Sequence, residues 1–128
     1  MTCETVLSTI NGREYTYTQL SATKSLLLKF KIAGFISASA KDIAAGMGKN
    51  DKEQLEYFLS AISIVFKENR PDEILSIIKE IFEPAFVSGE RIDIDKHYGG
   101  NLSEMYKALF WILKEEYGSF LEDALSTL

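Results

Sequence analysis

One cysteine, one histidine, one tryptophan and two prolines stand among the 128 residues. The single cysteine, Cys3, excludes an internal disulfide. With His97 as the sole histidine and Cys3 in a terminal segment, nothing in the spacing builds a Cys–His nucleophile or a Cys/His metal cage. Long apolar runs are also missing. Stretches such as Leu26-Leu27-Leu28 fall far below the ~18 residues that a membrane-spanning helix needs, so no membrane crossing is expected. The first residues lack the basic region and apolar stretch of a secretory signal, which leaves the cytoplasm as the expected compartment. An excess of positive charge is lacking too. With 14 Lys and Arg against 19 Asp and Glu, the formal charge is −5, so no surplus of cations exists to displace counterions from a phosphate backbone, and nucleic acid is not an expected partner.

What remains is an ordinary globular composition, 46% hydrophobic and 26% charged, in which a packed core can offset chain entropy. The length suits one domain over residues 1–128. The expected fold is mainly α, with a small β-hairpin over residues 4–18 and a compact bundle of about five to six helices over residues 21–128.

The hairpin rests on two β-branched and aromatic runs, Thr5 to Ile10 and Arg13 to Thr18, separated by Asn11-Gly12, a pair suited to a two-residue type I′ turn. Ser21 then caps a helix through Leu26, Leu27, Leu28, Phe30 and Ile32 toward Gly34. That helix is apolar around most of its circumference, which places it at the centre of the core in preference to a partner surface. Ser39 caps a short helix over about Ala40 to Ala45, stopped by Gly46 and Gly48. From Asp51, the apolar residues Leu55, Phe58, Leu59, Ile62, Val65 and Phe66 recur on one helical face. Asn69 and Pro71 restart the chain with proline at the first helical position. Ile74, Leu75, Ile77, Ile78, Ile81 and Phe82 follow until Pro84. The alternation in Arg91-Ile92-Asp93-Ile94-Asp95 suggests an edge strand or extended segment. Asn101 and Glu104 have the spacing of a capping box, opening a helix that runs to Tyr117, with Gly118 as its stop and a last short helix from Ser119.

Three constellations bear on chemistry. On a strand, Asp93, Asp95 and His97 would point one way and could ligate a metal, although two carboxylates on an exposed segment are far more often solvated charges. Ala45-Gly46-Met47-Gly48-Lys49-Asn50 lacks the early glycine, the Ser/Thr and the leading strand of a phosphate loop, and reads as a helix stop. The carboxylate pair Glu115-Glu116 is accounted for by a solvated helix face. No catalytic set and no cofactor follow from these residues. The last long helix is more informative. Leu102, Met105, Tyr106, Leu109, Phe110, Ile112, Leu113 and Tyr117 span its expected core face, while Trp111 falls on the other side among Glu104, Lys107, Lys114 and Glu115. A tryptophan there is either covered by the hairpin or the terminal helix, as happens often in small domains, or kept for a binding partner.

The segments Gly12 to Leu28 (GREYTYTQLSATKSLLL) and Arg91 to Leu121 (RIDIDKHYGGNLSEMYKALFWILKEEYGSFL) resemble the tail assembly chaperones of tailed bacteriophages. The likeness lies in an Ile-Asp-rich segment, an aromatic-glycine turn at Tyr98, Gly99 and Gly100, a helix from Leu102 to Lys114, and a closing aromatic stretch at Tyr117 and Phe120. Glu116-Tyr117 stands where Asn-Phe is commoner. The resemblance implies a binding protein and not an enzyme, acting in the cytoplasm of a bacterial host. Its partners would be the tape-measure protein, which it coats, and the tail-tube protein, which it recruits. Self-association is compatible with that role, and the family commonly makes two lengths by translational frameshift. Trp111, Tyr117 and Phe120 become the candidate partner-binding residues, with a groove that accepts an amphipathic helix as the expected mode. Two other readings separate from this one: a structural virion component such as a head–tail connector or tail terminator, and a small metal-dependent enzyme using Asp93, Asp95 and His97.

Overall fold

Two short turns with the same backbone geometry organise the β structure. Asn11 and Gly12 have φ of +51° and +80°, and Ser88 and Gly89 have +50° and +80°. Positive φ at both central residues is the requirement of a type I′ turn, whose twist matches that of the flanking strands. The first turn joins β1 (Thr5–Ile10) to β2 (Arg13–Thr18), as expected. The second joins β3 (Ala85–Val87) to β4 (Glu90–Arg91). β3 pairs with β2, Tyr15 opposite Val87 and Tyr17 opposite Ala85, so the hairpin becomes the outer half of a four-stranded antiparallel sheet in the order β1-β2-β3-β4.

The computed structural model describes residues 5–36 and 51–126. Within them lie five helices: α1 (Ala22–Ile36), α2 (Asp51–Glu68), α3 (Pro71–Phe82), α4 (Ile94–Tyr98) and α5 (Leu102–Ser126). The short helix expected at Ala40 to Ala45, the glycine turn after it and Cys3 lie outside the described residues.

Several start signals act as the sequence indicates. Ser21 Oγ accepts from the Lys24 amide at 3.4 Å, and Pro71 occupies the first turn of α3 after Arg70. The largest fully buried side chains are Tyr15, Tyr17, Phe82, Val87, Tyr98, Leu109 and Ile112. The core therefore sits between one sheet face, α3 and the first half of α5, with Leu28 and Ile32 of α1 and Val65 of α2 packed against it.

The structure corrects the sequence reading in five places. The sheet has four strands where a lone hairpin was expected. The segment at Arg91 to Asp95 is extended only as far as Asp93, with strand pairing ending at Arg91, because the Asp93 side chain accepts from the Lys96 amide at 3.1 Å and starts α4 at Ile94. Helix α1 is not central: Leu26, Leu27 and Phe30 are 50%, 60% and 67% exposed, so an all-round apolar circumference has only its Leu28/Ile32 side covered. Gly118 does not end the last helix, which continues to Ser126; a glycine inside a helix costs about 1 kcal/mol relative to alanine and is no obligatory stop. The capping box is half formed. Asn101 Oδ1 accepts from the Glu104 amide at 3.3 Å, but the Asn101 backbone N–H donates to Tyr98 C=O at 2.9 Å, and the Glu104 carboxylate meets only the Asn101 side-chain amide, at 3.4 Å, while its other oxygen turns inward.

Candidate protein-interaction surface

Glu104 anchors the last helix to the sheet. It is 2% exposed, and burial alone would push its pKa up. Hydrogen bonds from Tyr15 and Arg13 more than reverse that and hold the carboxyl below the usual range. Tyr15 Oη donates to Glu104 Oε2 at 2.5 Å, and Arg13 donates to the same oxygen through Nε at 2.6 Å and through Nη2. Arg13 Nη2 also reaches His97 C=O at 3.0 Å, and the Tyr15 and Tyr98 hydroxyls lie 3.0 Å apart. Burial raises the pKa of Tyr15, and the hydrogen bond to Glu104 raises it further, so this phenol stays protonated. One strand is thus tied to one helix through a buried charge whose polar partners are all supplied, the condition under which such a charge is tolerable.

That anchor determines what Trp111 meets. The indole lies edge-on to the rings of both Tyr15 and Tyr17, with centroids 6.3 Å away in each case. Trp111 is half-buried under the hairpin, and Tyr17 Oη donates to Glu116 one turn beyond it. The hairpin thus covers the side of α5 that carries Trp111, the first of the two arrangements the sequence leaves open, and Glu104 belongs to the interior.

The cover is incomplete. Trp111 also lines a groove of about 390 Å³ with Ile10, Leu55, Phe110, Lys107 and Lys114. Lys107, Phe110, Trp111, Lys114 and Glu115 recur at three- and four-residue spacing and so form one stripe of α5. Phe110 stacks on Phe58 of α2 at 5.0 Å, and the Lys114 ammonium sits 5.3 Å from the Phe110 ring centre. Lys107 Nζ donates to Asn11 Oδ1 at 3.2 Å, and Lys114 Nζ to Gln54 Oε1 at 3.0 Å. Tyr117 and Phe120 lie further along the backbone of α5, roughly 9 and 13 Å past Trp111 at 1.5 Å per residue.

A second surface lies on α1, where a central core helix was expected in preference to a partner surface. The exposed Leu26, Leu27 and Phe30 make an apolar ridge on α1. Beside Leu27 runs a groove of about 360 Å³ lined by Leu20, Leu28 and Pro84, with Lys24, Lys31, Glu83 and Arg91 among its polar residues. Lys31 pairs with Glu80 at 2.9 Å across it. Apolar periodicity alone does not reveal which side of such a helix lies open.

The metal reading loses its geometry. Asp93 caps α4, Asp95 and His97 lie on that helix, and His97 Nδ1 accepts from the Asp93 amide at 2.9 Å. Among the described residues no three acidic, histidine or cysteine side chains cluster as metal ligands would.

The sequence model of one protein family, described as phage tail assembly chaperone protein, matches residues 11–127. The chain belongs to the phage tail assembly chaperone family. The match takes in the second hairpin strand, every described helix, the groove beside Leu27 and all of the Trp111 groove except Thr9 and Ile10. No curated protein and no solved structure gives a match. No helix among the described residues of this family member is long and apolar enough to cross a membrane.

Proposed function

We propose that the chain is a tail assembly chaperone in the full sense: it binds the tape-measure protein, keeps that long chain from aggregating, and recruits tail-tube subunits to it in the bacterial cytoplasm. The family match over residues 11–127 carries the reading. The surface supports it physically. An acidic protein with a charge of −5 stays soluble by self-repulsion while presenting the apolar ridge of Leu26, Leu27 and Phe30 to a client. An amphipathic helical segment can lay its apolar face along that ridge, with Lys24 and Arg91 beside it for acidic flanks. Trp111, with Tyr117 and Phe120 further along α5, forms the second contact region in this reading. Catalysis has no part in it.

The experiment is co-expression of the chain with the tape-measure protein, followed by capture through a tag on the chain. Wild-type protein should retain the tape-measure chain. The double variant Leu27→Glu, Phe30→Glu and the single variant Trp111→Ala should each retain less while remaining folded. If both folded variants retain as much as wild type, these two surfaces are not the contacts.

A further inference from the structure

The two grooves and the α1 ridge leave one feature unused, the outer edge of β1. A two-residue hairpin turn is flanked by a pair that exchanges both hydrogen bonds, so Ile10↔Arg13, Ser8↔Tyr15 and Val6↔Tyr17 are the bonded pairs. The alternate residues Thr5, Leu7 and Thr9 therefore turn their N–H and C=O groups away from β2. The far side of β2 has the same parity: Ser88 N–H donates to Glu14 C=O at 2.8 Å and Thr18 N–H to Pro84 C=O at 3.3 Å. β1 is an edge of the sheet, and its outward groups have no backbone partner among the described residues.

Natural proteins usually blunt such an edge with lysine, proline or a bulge. Here Thr5 to Ile10 carries no charge and no proline, pairs in unbroken register, and exposes Leu7 at 67%. Its inward residues Val6, Ser8 and Ile10 are only half-buried, whereas Tyr15 and Tyr17 on the neighbouring strand are 0% and 1% exposed. Among the described residues no further strand lies beside β1 to cover that half-buried side of the sheet. The uncovered ground at the Ile10 end is the Trp111 groove, which Thr9 and Ile10 help to line.

We propose that β1 is a strand-addition site for an extended segment of the chaperone's client. The segment would pair with the outward groups of Thr5, Leu7 and Thr9 and insert its inward side chains into the groove of Leu55, Phe110 and Trp111. An open row of alternating amide and carbonyl groups is matched by extended backbone and not by a helix, which has none of its own to offer along its sides. Charge selects the sequence class. The groove carries Lys107 and Lys114 against Glu115 in a chain whose net charge is −5. The fitting segment thus alternates apolar and small polar residues and places an Asp or Glu beside the two lysines. This inference rests on the client-binding function proposed above and adds the conformation in which part of the client is held.

The test is hydrogen exchange at the amides of Thr5, Leu7 and Thr9, in the chain alone and in its complex with co-expressed tape-measure protein. In the chain alone they should exchange freely, and in the complex they should slow by at least about tenfold, as hydrogen-bonded amides do on a partner's arrival. A complex that leaves them unprotected overturns strand addition while client binding stands. Failure to form any complex removes both. Protection in the chain alone that rises with its concentration overturns the assignment in favour of a second copy at this edge. Leu7→Pro gives the matching variant: it deletes only an outward N–H, so the β1–β2 ladder keeps its bonds. Its folded form should lose most of the retained client, as should Leu7→Lys, which places a charge on the edge without altering the backbone. Undiminished retention by either folded variant overturns the proposal.

Discussion

Replacing Glu104 with Gln isolates the buried charge that joins the last helix to the sheet. The amide is nearly the same shape, but it is neutral: its oxygen can take the Oε2 position and accept from Arg13 and Tyr15 without charge assistance, while its NH₂ takes the Oε1 position and meets the Asn101 side-chain amide that donated there at 3.4 Å. Hydrogen bonds to a charged group contribute about 1.5–3 kcal/mol each. Part of that loss is offset because the variant no longer desolvates a charge, and the Arg13 side chain, at 31% exposure, is screened by solvent. A net loss of about 2–3 kcal/mol follows, or roughly 8–12 °C in Tm at about 4 °C per kcal/mol for a domain of this size. The pH dependence identifies the cause. Hydrogen bonds from Tyr15 and Arg13 hold the folded carboxyl below its ordinary value despite its burial, so its contribution is full above the unfolded carboxylate range near pH ~4.3 and disappears as pH falls through the lowered folded value. Urea titrations of both proteins should show a constant difference from about pH 7 to 5 and a shrinking one below pH ~4. A loss under ~0.5 kcal/mol, or a difference that stays constant into strong acid, would refute the ion-pair account.

Other outcomes follow from the same geometry. Trp111→Ala removes a half-buried ring from against Tyr15 and Tyr17 and should cost about 2 kcal/mol by denaturant unfolding, short of the ~3–5 expected for a fully buried aromatic. Tyr98→Phe deletes the partner of the Tyr15 hydroxyl but leaves Tyr15 donating to Glu104, so the loss should be near 1 kcal/mol. Gly12→Ala places a side chain at φ +80° and should cost about 1 kcal/mol, read as a lower urea midpoint, although nothing lies within 4 Å of the added carbon. Leu27→Glu should alter stability by no more than about 0.5 kcal/mol because the side chain is 60% exposed, and should act on client retention alone.

The parts legible in the sequence were those with a local cause. Asn11-Gly12 marks a turn by its own dihedral tolerance, Pro71 a helix start, and Asp51 to Phe66 an apolar face of which Phe58, Ile62, Val65 and Phe66 meet the core while Leu59 stays exposed. What escaped was decided between distant segments. Ser88-Gly89 is itself a turn signal, but the β3–β4 strands are too short to register as alternation, so the fourfold sheet emerged only when Ala85 to Val87 paired with β2. Glu104 reads as a capping residue three positions after Asn101, and nothing local indicates that Arg13, 91 residues away, would claim it instead. Trp111 lies opposite the Leu109 and Ile112 face as expected, and its cover by the hairpin was one of two arrangements left open; the choice between them is made by Tyr15 and Tyr17 in the sheet and not by the helix. The α1 misreading has the same origin. Leu26, Leu27, Leu28 and Phe30 carry no polar marker to distinguish a covered side from an open one, and the client binding proposed above would use the open side.

In the function proposed above, this chain keeps the tape-measure protein soluble by binding it. Expressing the tape-measure protein with and without the chain, and measuring its fraction in the supernatant of the cleared lysate, tests that directly. The tape-measure protein should be largely insoluble alone and should move into the supernatant in company with the chain. A tape-measure protein equally soluble in its absence, or equally insoluble in its presence, would contradict it.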